Sequence, residues 1–486
     1  MWIIRFFFVG LWGTIIAFLV AKNPPDDHSP LASGHPSKLS FSLLSQPTAD
    51  TTAVVLNWSR FPNVLRIVSL LCRPELESTI AIIHVWNNSP TKISKELLEC
   101  PGNRLQITNS PANIYFQARF LACAEATTPF CFVQDDDYLV LPEIIQTMRL
   151  RFSNDSLSTI YLLPPHEALS SDLKRIRVGS NIHTSFAWLG HGAIMRRAQA
   201  RDFLALMQYL NVTENEMKMS DNYYALLANV YPEIWFDQGI ELGGGQAFTQ
   251  GAEGDERNNR HIAQAAKYLD QIMDCTHGPC LRHDIPFINL EDQTLSAVYR
   301  APCVGLPCLL EITIPLVPST KFDVGSASQV LDIEKLNRDT FQRIDTEDYL
   351  LHPPSHAVDG NPNTGFCTTK GVRMGDTIEM NLLGPVANSG LAEVVFLVDS
   401  NARFMLQATA TLQFRDNEWI NSSTTFACVP IEQDLNQCSS LTPWLHFSAF
   451  RVLFERDVER RACFHEIWAQ ERLLSYSSDI QVMPNV

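Results

Sequence analysis

Between Thr52 and Asp270 short apolar runs alternate with stretches of helical periodicity: "AVVLNW", a helix over "PNVLRIVSLL", "STIAIIHVWNN", a helix near "NIYFQARFLACAEA", then "FCFVQ". Strands that are apolar along their whole length must be covered on both faces, and helices between them supply the cover. The alternation therefore predicts βαβ units and a largely parallel sheet. Beyond about Lys321 the pattern changes to short alternating segments, "DTIEMNLLG", "LAEVVFLVD", "ATATLQF" and "AFRVLFE", parted by Gly, Asn and Pro turns, which predicts an all-β sandwich. The expected organisation is an α/β domain over 51–285, a Cys/Pro-rich bridge over 286–324, a β-sandwich over 325–475 and a tail over 476–486, with the two domains folding as separate units and no internal repeat.

The N-terminus carries a different signal. Trp2 to Ala21 is apolar except for Arg5, leaving a 16-residue core after it. As a helix that core spans about 24 Å at ~1.5 Å per residue, short for a bilayer but assisted by a snorkelling Arg5. It reads as a signal-anchor or, since Ala21 is a small residue at a cleavage point, as a cleaved signal peptide. Residues 1–21 are the membrane signal and 22–50, rich in Pro, Ser, Thr and His, a stem. Both readings deliver the rest of the chain to the secretory lumen: a single-pass type II protein of the Golgi or ER membrane, or a secreted one. The 12 cysteines and the N-x-S/T sequons at Asn57, Asn87, Asn154, Asn211 and Asn421 agree. In that compartment the close pairs Cys275/Cys280 and Cys303/Cys308 are expected as oxidised thiols rather than zinc ligands. A net charge of -16 without Lys/Arg runs excludes a nucleic-acid backbone as partner.

The stretch "FCFVQDDDYLV" places Asp135, Asp136 and Asp137 directly after a buried strand. In open α/β sheets that carboxyl end is where ligands bind, and alternation along an extended chain turns two of three neighbours to one side. Oxygen ligands alone suit Mn²⁺ or Mg²⁺, each of which takes one or two carboxylates and completes its shell with phosphate oxygens. The bland alternative is an acidic turn with solvated carboxylates.

With these residues in view the chain resembles the exostosin-like glycosyltransferases (glycosyltransferase family 64) over residues 52–275. "VVLNWSRFPNVLRIV" is similar to the family's first strand and helix, with its arginine at Arg60. "IAIIHVWNN" is similar to its second strand, ending in Trp86, Asn87 and Asn88. "RFLACAEATTPFCFVQDDD" resembles its arginine segment ending in the aspartates, with the arginine at Arg119. The resemblance implies a GT-A type fold that binds a nucleotide-sugar, typically UDP-linked, through Mn²⁺ and transfers the sugar with retention. Arg60, Asn87 and Arg119 would touch the nucleotide, Asp135 and Asp137 would hold the metal, and the whole triplet would face the cofactor. Asp221, opening the helical pattern "DNYYALLANVY", matches the family's acidic residue at a helix start and is the candidate catalytic carboxylate; a plain helix cap is its alternative. "WLGHGAIMRR", including His191, and "ELGGGQAF" would line the same cleft. The family's paired asparagines are Gln117 and Ala118 here, its cysteine pair is missing near Met219, Ser220 and Tyr268, and its second arginine falls on Ala265. Arg257, Arg260 or Lys267 would then supply positive charge to the diphosphate, Arg260 being the choice carried forward.

The C-terminal half has its own resemblance. "SHAVDGNPNTGFCTTKGVRMGDTIEMNLLG", with Ala357, Asp359, Gly360 and Thr364, is similar to the opening of discoidin-type (F5/8 type C) domains. "TATLQFRDNEWIN" and "FRVLFERDVERRACFHEIWAQ" resemble later strands of that family. It implies a galactose-binding-like jelly roll whose relatives bind glycans or lipid surfaces. Two functions follow as expectations. One is a lumenal, metal-dependent hexosyl- or N-acetylhexosaminyltransferase acting on a glycan or glycolipid acceptor; the other is a non-catalytic glycan-binding protein on a decayed transferase scaffold.

Overall fold

The computed structural model describes residues 48–152, 159–244, 251–274, 286–293, 297–317, 324–383, 391–415, 417–432, 434–442 and 447–472, which fall in one compact unit. Among them no helix is long and apolar enough to cross a membrane. The Trp2 to Ala21 segment, Asn154, Cys275 and Cys280 lie outside the described residues.

Thirteen strands precede residue 320 in the chain: β1 Thr51–Asn57, β2 Ile80–Asn87, β3 Leu105–Asn109, β4 Phe130–Gln134, β5 Tyr138–Leu139, β6 Ile160–Leu163, β7 Ile176–Val178, β8 Ile182–Thr184, β9 Ala193–Arg196, β10 Glu233–Phe236, β11 Ile240–Glu241, β12 Tyr299–Pro302 and β13 Cys308–Ile312. The N-terminal half has the order β3-β2-β1-β4-β9-β6-β10. All seven residues of β1 are buried, as a strand between two helical layers requires. Helix Phe61–Leu71 presents Val64, Ile67, Val68 and Leu71 to one face of the sheet, while helix Gln117–Ala124 presents Phe120 and Cys123 to the other. The latter begins later than the sequence pattern suggests. Tyr115 sits at φ 49, a left-handed conformation that helix propagation cannot pass, and its N–H is bonded to the Asn113 side chain.

The sheet is not wholly parallel. β9 runs antiparallel to both β4 and β6, with Val133 opposite Ala193. Entering from the carboxyl ends of its neighbours, it carries the loop before it, including Gly190 and His191, to the edge where the aspartates emerge.

The C-terminal half contains β14 Phe366–Thr368, β15 Thr377–Leu382, β16 Leu391–Val398, β17 Ala410–Arg415, β18 Trp419–Asn421, β19 Ala427–Glu432, β20 Leu435–Thr442, β21 Ala449–Phe454 and β22 Ala462–Arg472. A five-stranded sheet, β14-β22-β16-β20-β19, faces the strands β18-β17-β21-β15-β13. Phe396 of β16 meets Phe450 of β21 across the gap with ring centroids 6.2 Å apart. This is the expected sandwich, but it is not all β. Helices Val330–Thr340, Arg343–Leu351 and Ser400–Ala408 interrupt it.

The bridge is structural rather than a tether, which corrects the expectation of two separate folding units. Its strands β12 and β13 join β10 on one side and β15 on the other, so that one sheet of 13 strands runs through both halves. Cys303–Cys308 closes the β12–β13 hairpin, and Gln238 donates to the Pro302 and Ser355 carbonyls at 3.3 and 2.8 Å. Rings from both halves also meet, with Phe236 and Tyr349 centroids 5.6 Å apart. Ten described cysteines form five disulfides, Cys72–Cys100, Cys123–Cys131, Cys303–Cys308, Cys367–Cys463 and Cys428–Cys438. The Cys367–Cys463 pair closes a 96-residue separation, and a loop near that length constrains the unfolded chain by about 4–5 kcal/mol in the chain-entropy account. After a limited proteolytic cut between the halves, the fragments are expected to co-elute on gel filtration and part only in denaturant. Separation in native buffer would contradict a sheet shared by both halves.

Candidate active site

The three aspartates leave β4 pointing in alternate directions, as extended chain dictates. Asp135 and Asp137 line a cleft of about 690 Å³, whereas Asp136 is not among its walls. Asp136 is 6% exposed and is held by Arg60 Nη1 at 2.7 Å and by the Trp58 N–H at 3.3 Å. Arg60, at the start of helix Phe61–Leu71, also reaches Asp137 at 3.2 Å and donates Nε to the Gly244 carbonyl at 3.4 Å. The glycine run is thereby fastened over the end of β1, and Gly243 lines the cleft.

Arg119 lies deeper. It is 1% exposed, and its Nη2 bonds Asp135 Oδ1 at 2.6 Å and faces Asp221 Oδ2 at 3.2 Å. Burial alone would lower its pKa, but the two carboxylates raise it and keep the guanidinium charged. Its Nε and Nη1, and Asp221 Oδ1, have no hydrogen-bond partner among the described residues. Asp221 opens helix Asp221–Leu227 but accepts no capping bond there, since the preceding Ser220 is itself in helical conformation. Burial, and next to it the charge of Asp135, lift its carboxyl to about 7 in spite of Arg119. Removing Arg119 would leave two carboxylates beside one another without their cation, a loss of the kind that costs about 3–5 kcal/mol.

Asp137 is pushed up to about 6 by burial and by the neighbouring Asp135, in spite of Arg60. On its other side stands His191, whose Nε2 and Nδ1 lie 3.6 Å from Glu167 and 3.5 Å from Asp237. These are ion-pair rather than hydrogen-bond separations. Burial works against the charged ring, yet the surrounding carboxylates hold its pKa up at about 9, so His191 is an imidazolium at neutral pH. The Tyr138 ring meets it edge-on at 4.7 Å. Two glycines permit this packing. A Cβ on Gly190 would lie 2.5 Å from Asp135 Oδ2, and one on Gly239 would lie 2.3 Å from the Tyr138 ring.

The Asp135/Asp137 pair fits a hard divalent cation: both are oxygen donors, both face the cleft, and the burial that raises Asp137 is relieved by positive charge. Among the described residues no group of three or more His, Cys, Asp or Glu side chains is arranged to hold a metal unaided. Such an ion would complete its shell from a ligand.

Of the expected site residues, Arg60, Arg119 and Asp136 are not among the cleft walls and are engaged in ion pairs within the protein, while Asn87 and Arg260 stand elsewhere. Asn87 is fully buried at the end of β2, its amide donating to the Thr91 carbonyl and Asn109 and accepting from Asn57, so as placed it presents nothing to a ligand. Arg260 is exposed on helix Ala252–Met273, which presents Asp255 and Asn258 to the cleft; two residues past Asn258, the helical turn carries Arg260 to the opposite side. Arg257 and Lys267 are likewise not among the walls, and Ala265 is buried in the core. Unforeseen walls are Glu167 and Ser170 of helix Pro165–Leu173, and Arg338 of helix Val330–Thr340.

No family model matches the chain, and no curated protein matches it. Solved structures similar to it include a mannosyltransferase, PcManGT, from Pyrobaculum calidifontis in complex with GDP-Man and Mn²⁺ (11% identity, TM-score 0.31, covering 48% of this chain and 67% of that one). Another is S. aureus TarS 1-349 in complex with UDP-GlcNAc (12%, 0.27, 46% and 70%). A third is the family 32 CBM from C. perfringens NanJ in complex with galactose (14%, 0.18, 24% and 83%). At these TM-scores residue roles rest on the geometry above and not on the likenesses.

Two predictions follow from this geometry. Asp221 binds its proton more tightly folded than unfolded. Stability should therefore fall as pH rises from about 4, where an unfolded aspartate ionises, to about 7, where the folded carboxyl does, and this contribution should be level beyond. Thermal melting of the metal-free protein is expected to show that fall, and Asp221→Asn to flatten it; an unchanged profile in the variant would remove Asp221 as its source. The second concerns glycans, which attach at the asparagine Nδ2. Asn57 is 2% and Asn87 0% exposed, with both Nδ2 atoms donating within the protein, whereas Asn211 and Asn421 are exposed. Deglycosylation in heavy-oxygen water followed by peptide mass spectrometry should tag Asn211 and leave Asn57 and Asn87 bare.

Proposed function

We propose that this chain is a metal-dependent retaining glycosyltransferase of GT-A type, moving a hexose or N-acetylhexosamine from a nucleotide-sugar, UDP-linked, to a glycan or glycolipid acceptor. The observation that carries the reading is the buried Arg119 joining Asp135 to Asp221 at the wall of a strand-end cleft. A Mn²⁺ or Mg²⁺ ion held by Asp135 and Asp137 would neutralise the charge that grows on the departing diphosphate. Arg60 holds Asp136 and Asp137 in their alternate directions, and Arg119 holds the Asp135 carboxylate toward the cleft. Asp221, oriented by Arg119 and with one oxygen unpartnered among the described residues, steadies the positive charge that develops at the sugar carbon. Retention needs no protein nucleophile when the leaving diphosphate takes the acceptor's proton on the same face. The N-terminal apolar segment, the disulfides and the sequons favour a lumenal site in the Golgi or ER, with the C-terminal sandwich as a discoidin-like glycan-binding module.

The absence of Arg257, Arg260 and Lys267 from the described cleft walls favours a second reading, non-catalytic glycan binding on the same scaffold. Titration calorimetry with UDP and Mn²⁺ tests the donor site directly. Binding is expected to vanish with EDTA and to weaken about 10- to 100-fold in Asp137→Ala. Asp221→Asn should retain UDP but lose about 10²–10³ in donor turnover. Equal UDP affinity with and without metal would overturn the assignment, and UDP-sugar binding without any hydrolysis or transfer would favour the second reading.

A further inference from the structure

The walls of the cleft come from both halves of the chain. Arg338 lines it together with Glu167, Trp188 and His191, although helix Val330–Thr340 lies beyond the bridge, in the C-terminal half. That helix is tied to helix Pro165–Leu173 by polar contacts: Asn337 Nδ2 donates to the Leu173 carbonyl at 2.8 Å, and Glu334 accepts from Lys174 at 2.8 Å and from Ser170 at 3.0 Å. The same Glu334 oxygen holds Arg338 Nη2 at 2.9 Å, so the guanidinium, 64% exposed, is oriented before any ligand arrives.

The sheet order assigns this corner its ligand. β1 and β2, with Arg60, lie on one side of β4, and β9, β6 and β10, which deliver His191, Glu167 and Asp237, lie on the other. A nucleotide over β1 whose diphosphate reaches Asp135 and Asp137 directs its sugar toward β9 and β6, and the acceptor must approach beyond it. There the cleft offers the partly exposed Trp188 ring, the partly exposed Glu167 and His191 side chains, and the Arg338 guanidinium. A flat aromatic face beside hydroxyl acceptors and donors is the chemistry that holds a pyranose. Carboxylates outnumber cations along these walls, with Asp135, Asp137, Glu167, Glu241 and Asp255 set against Arg338 and His191, which disfavours an anionic group and leaves a neutral sugar as the fitting occupant.

We infer that the C-terminal half completes the acceptor subsite of this cleft: Arg338, with Trp188, Glu167 and His191, binds a neutral acceptor pyranose. The inference rests on the glycosyl-transfer reading above. Arg338 acts here as a binding residue, its planar fork donating to sugar hydroxyls while Glu167 accepts from others.

The test uses the full lumenal chain and p-nitrophenyl β-glycosides of glucose, galactose, mannose, xylose and N-acetylglucosamine, with the glucuronide as anionic control. Binding is read by saturation-transfer NMR, with and without UDP and Mn²⁺. At least one neutral glycoside should bind more tightly than the glucuronide. Arg338→Ala should weaken it about tenfold, the loss of one charge-assisted hydrogen bond, and Arg338→Lys should restore part of it. UDP affinity should stay within about twofold in both variants. Unaltered glycoside binding in Arg338→Ala, preference for the glucuronide, or no binding of any neutral glycoside to the wild type would each overturn the inference. Glycoside binding that depends on Arg338 in a protein that does not take up UDP would uphold the subsite and sink the donor reading instead.

Discussion

The buried guanidinium of Arg119 is the constraint on which the rest of the site depends. It ties the end of β4, through Asp135, to the first residue of helix Asp221–Leu227. Two carboxylates cannot sit this close in a water-poor space without a cation between them, and Arg119 reaches both with one nitrogen. The remaining nitrogens have no partner among the described residues, and burial together with the charge of Asp135 makes Asp221 hold its proton to about 7 in spite of Arg119. A ligand that brings positive charge or hydrogen-bond acceptors into the cleft completes what the folded chain leaves unfinished.

The second constraint is the antiparallel strand β9. An all-parallel sheet would deliver only βα loops to the carboxyl edge. By entering from that edge, β9 adds the Gly190–His191 turn to the same place, and Gly190 lets the backbone come within hydrogen-bonding range of Asp135, whose N–H donates to the Gly190 carbonyl at 2.9 Å. His191 then stands between Glu167 and Asp237 as a charged ring, so the cleft holds opposed charges along its length instead of a single acidic wall.

The continuous sheet gives the C-terminal half a role that a tethered module would lack. Bridge strands β12 and β13 fix the sandwich against β10, and that fixed relation holds helix Val330–Thr340 on helix Pro165–Leu173. Its sequence, "VLDIEKLNRDT", buries Val330, Ile333 and Asn337, a narrow stripe on an otherwise polar helix. Its helical spacing is local, but nothing local says that its buried face meets helix Pro165–Leu173 of the other half, so Arg338 is not legible in the sequence as a wall of the cleft.

The sequence by itself determined strands β1, β2 and β4, the end of β4 at the aspartates, the alternate directions of Asp135, Asp136 and Asp137, and the oxidised state of the described cysteines. Each follows from local rules: apolar runs flanked by turn residues, a period of two along extended chain, and, for the cysteines, the secretory compartment proposed from the N-terminal segment. Tertiary structure decided the rest. Asn87 faces inward because the neighbouring strand ends offer it Asn57 and Asn109 as partners beside the local Thr91 carbonyl, and that depends on which strands are adjacent. Arg260 faces away because the buried stripe of its helix is set by helix Asp221–Leu227 packed on it, where Tyr223 meets His261, and Arg338 faces in because a helix from the other half packs beside the cleft. These are properties of contacts between segments far apart in the chain, so no local pattern could encode which side chain meets the ligand.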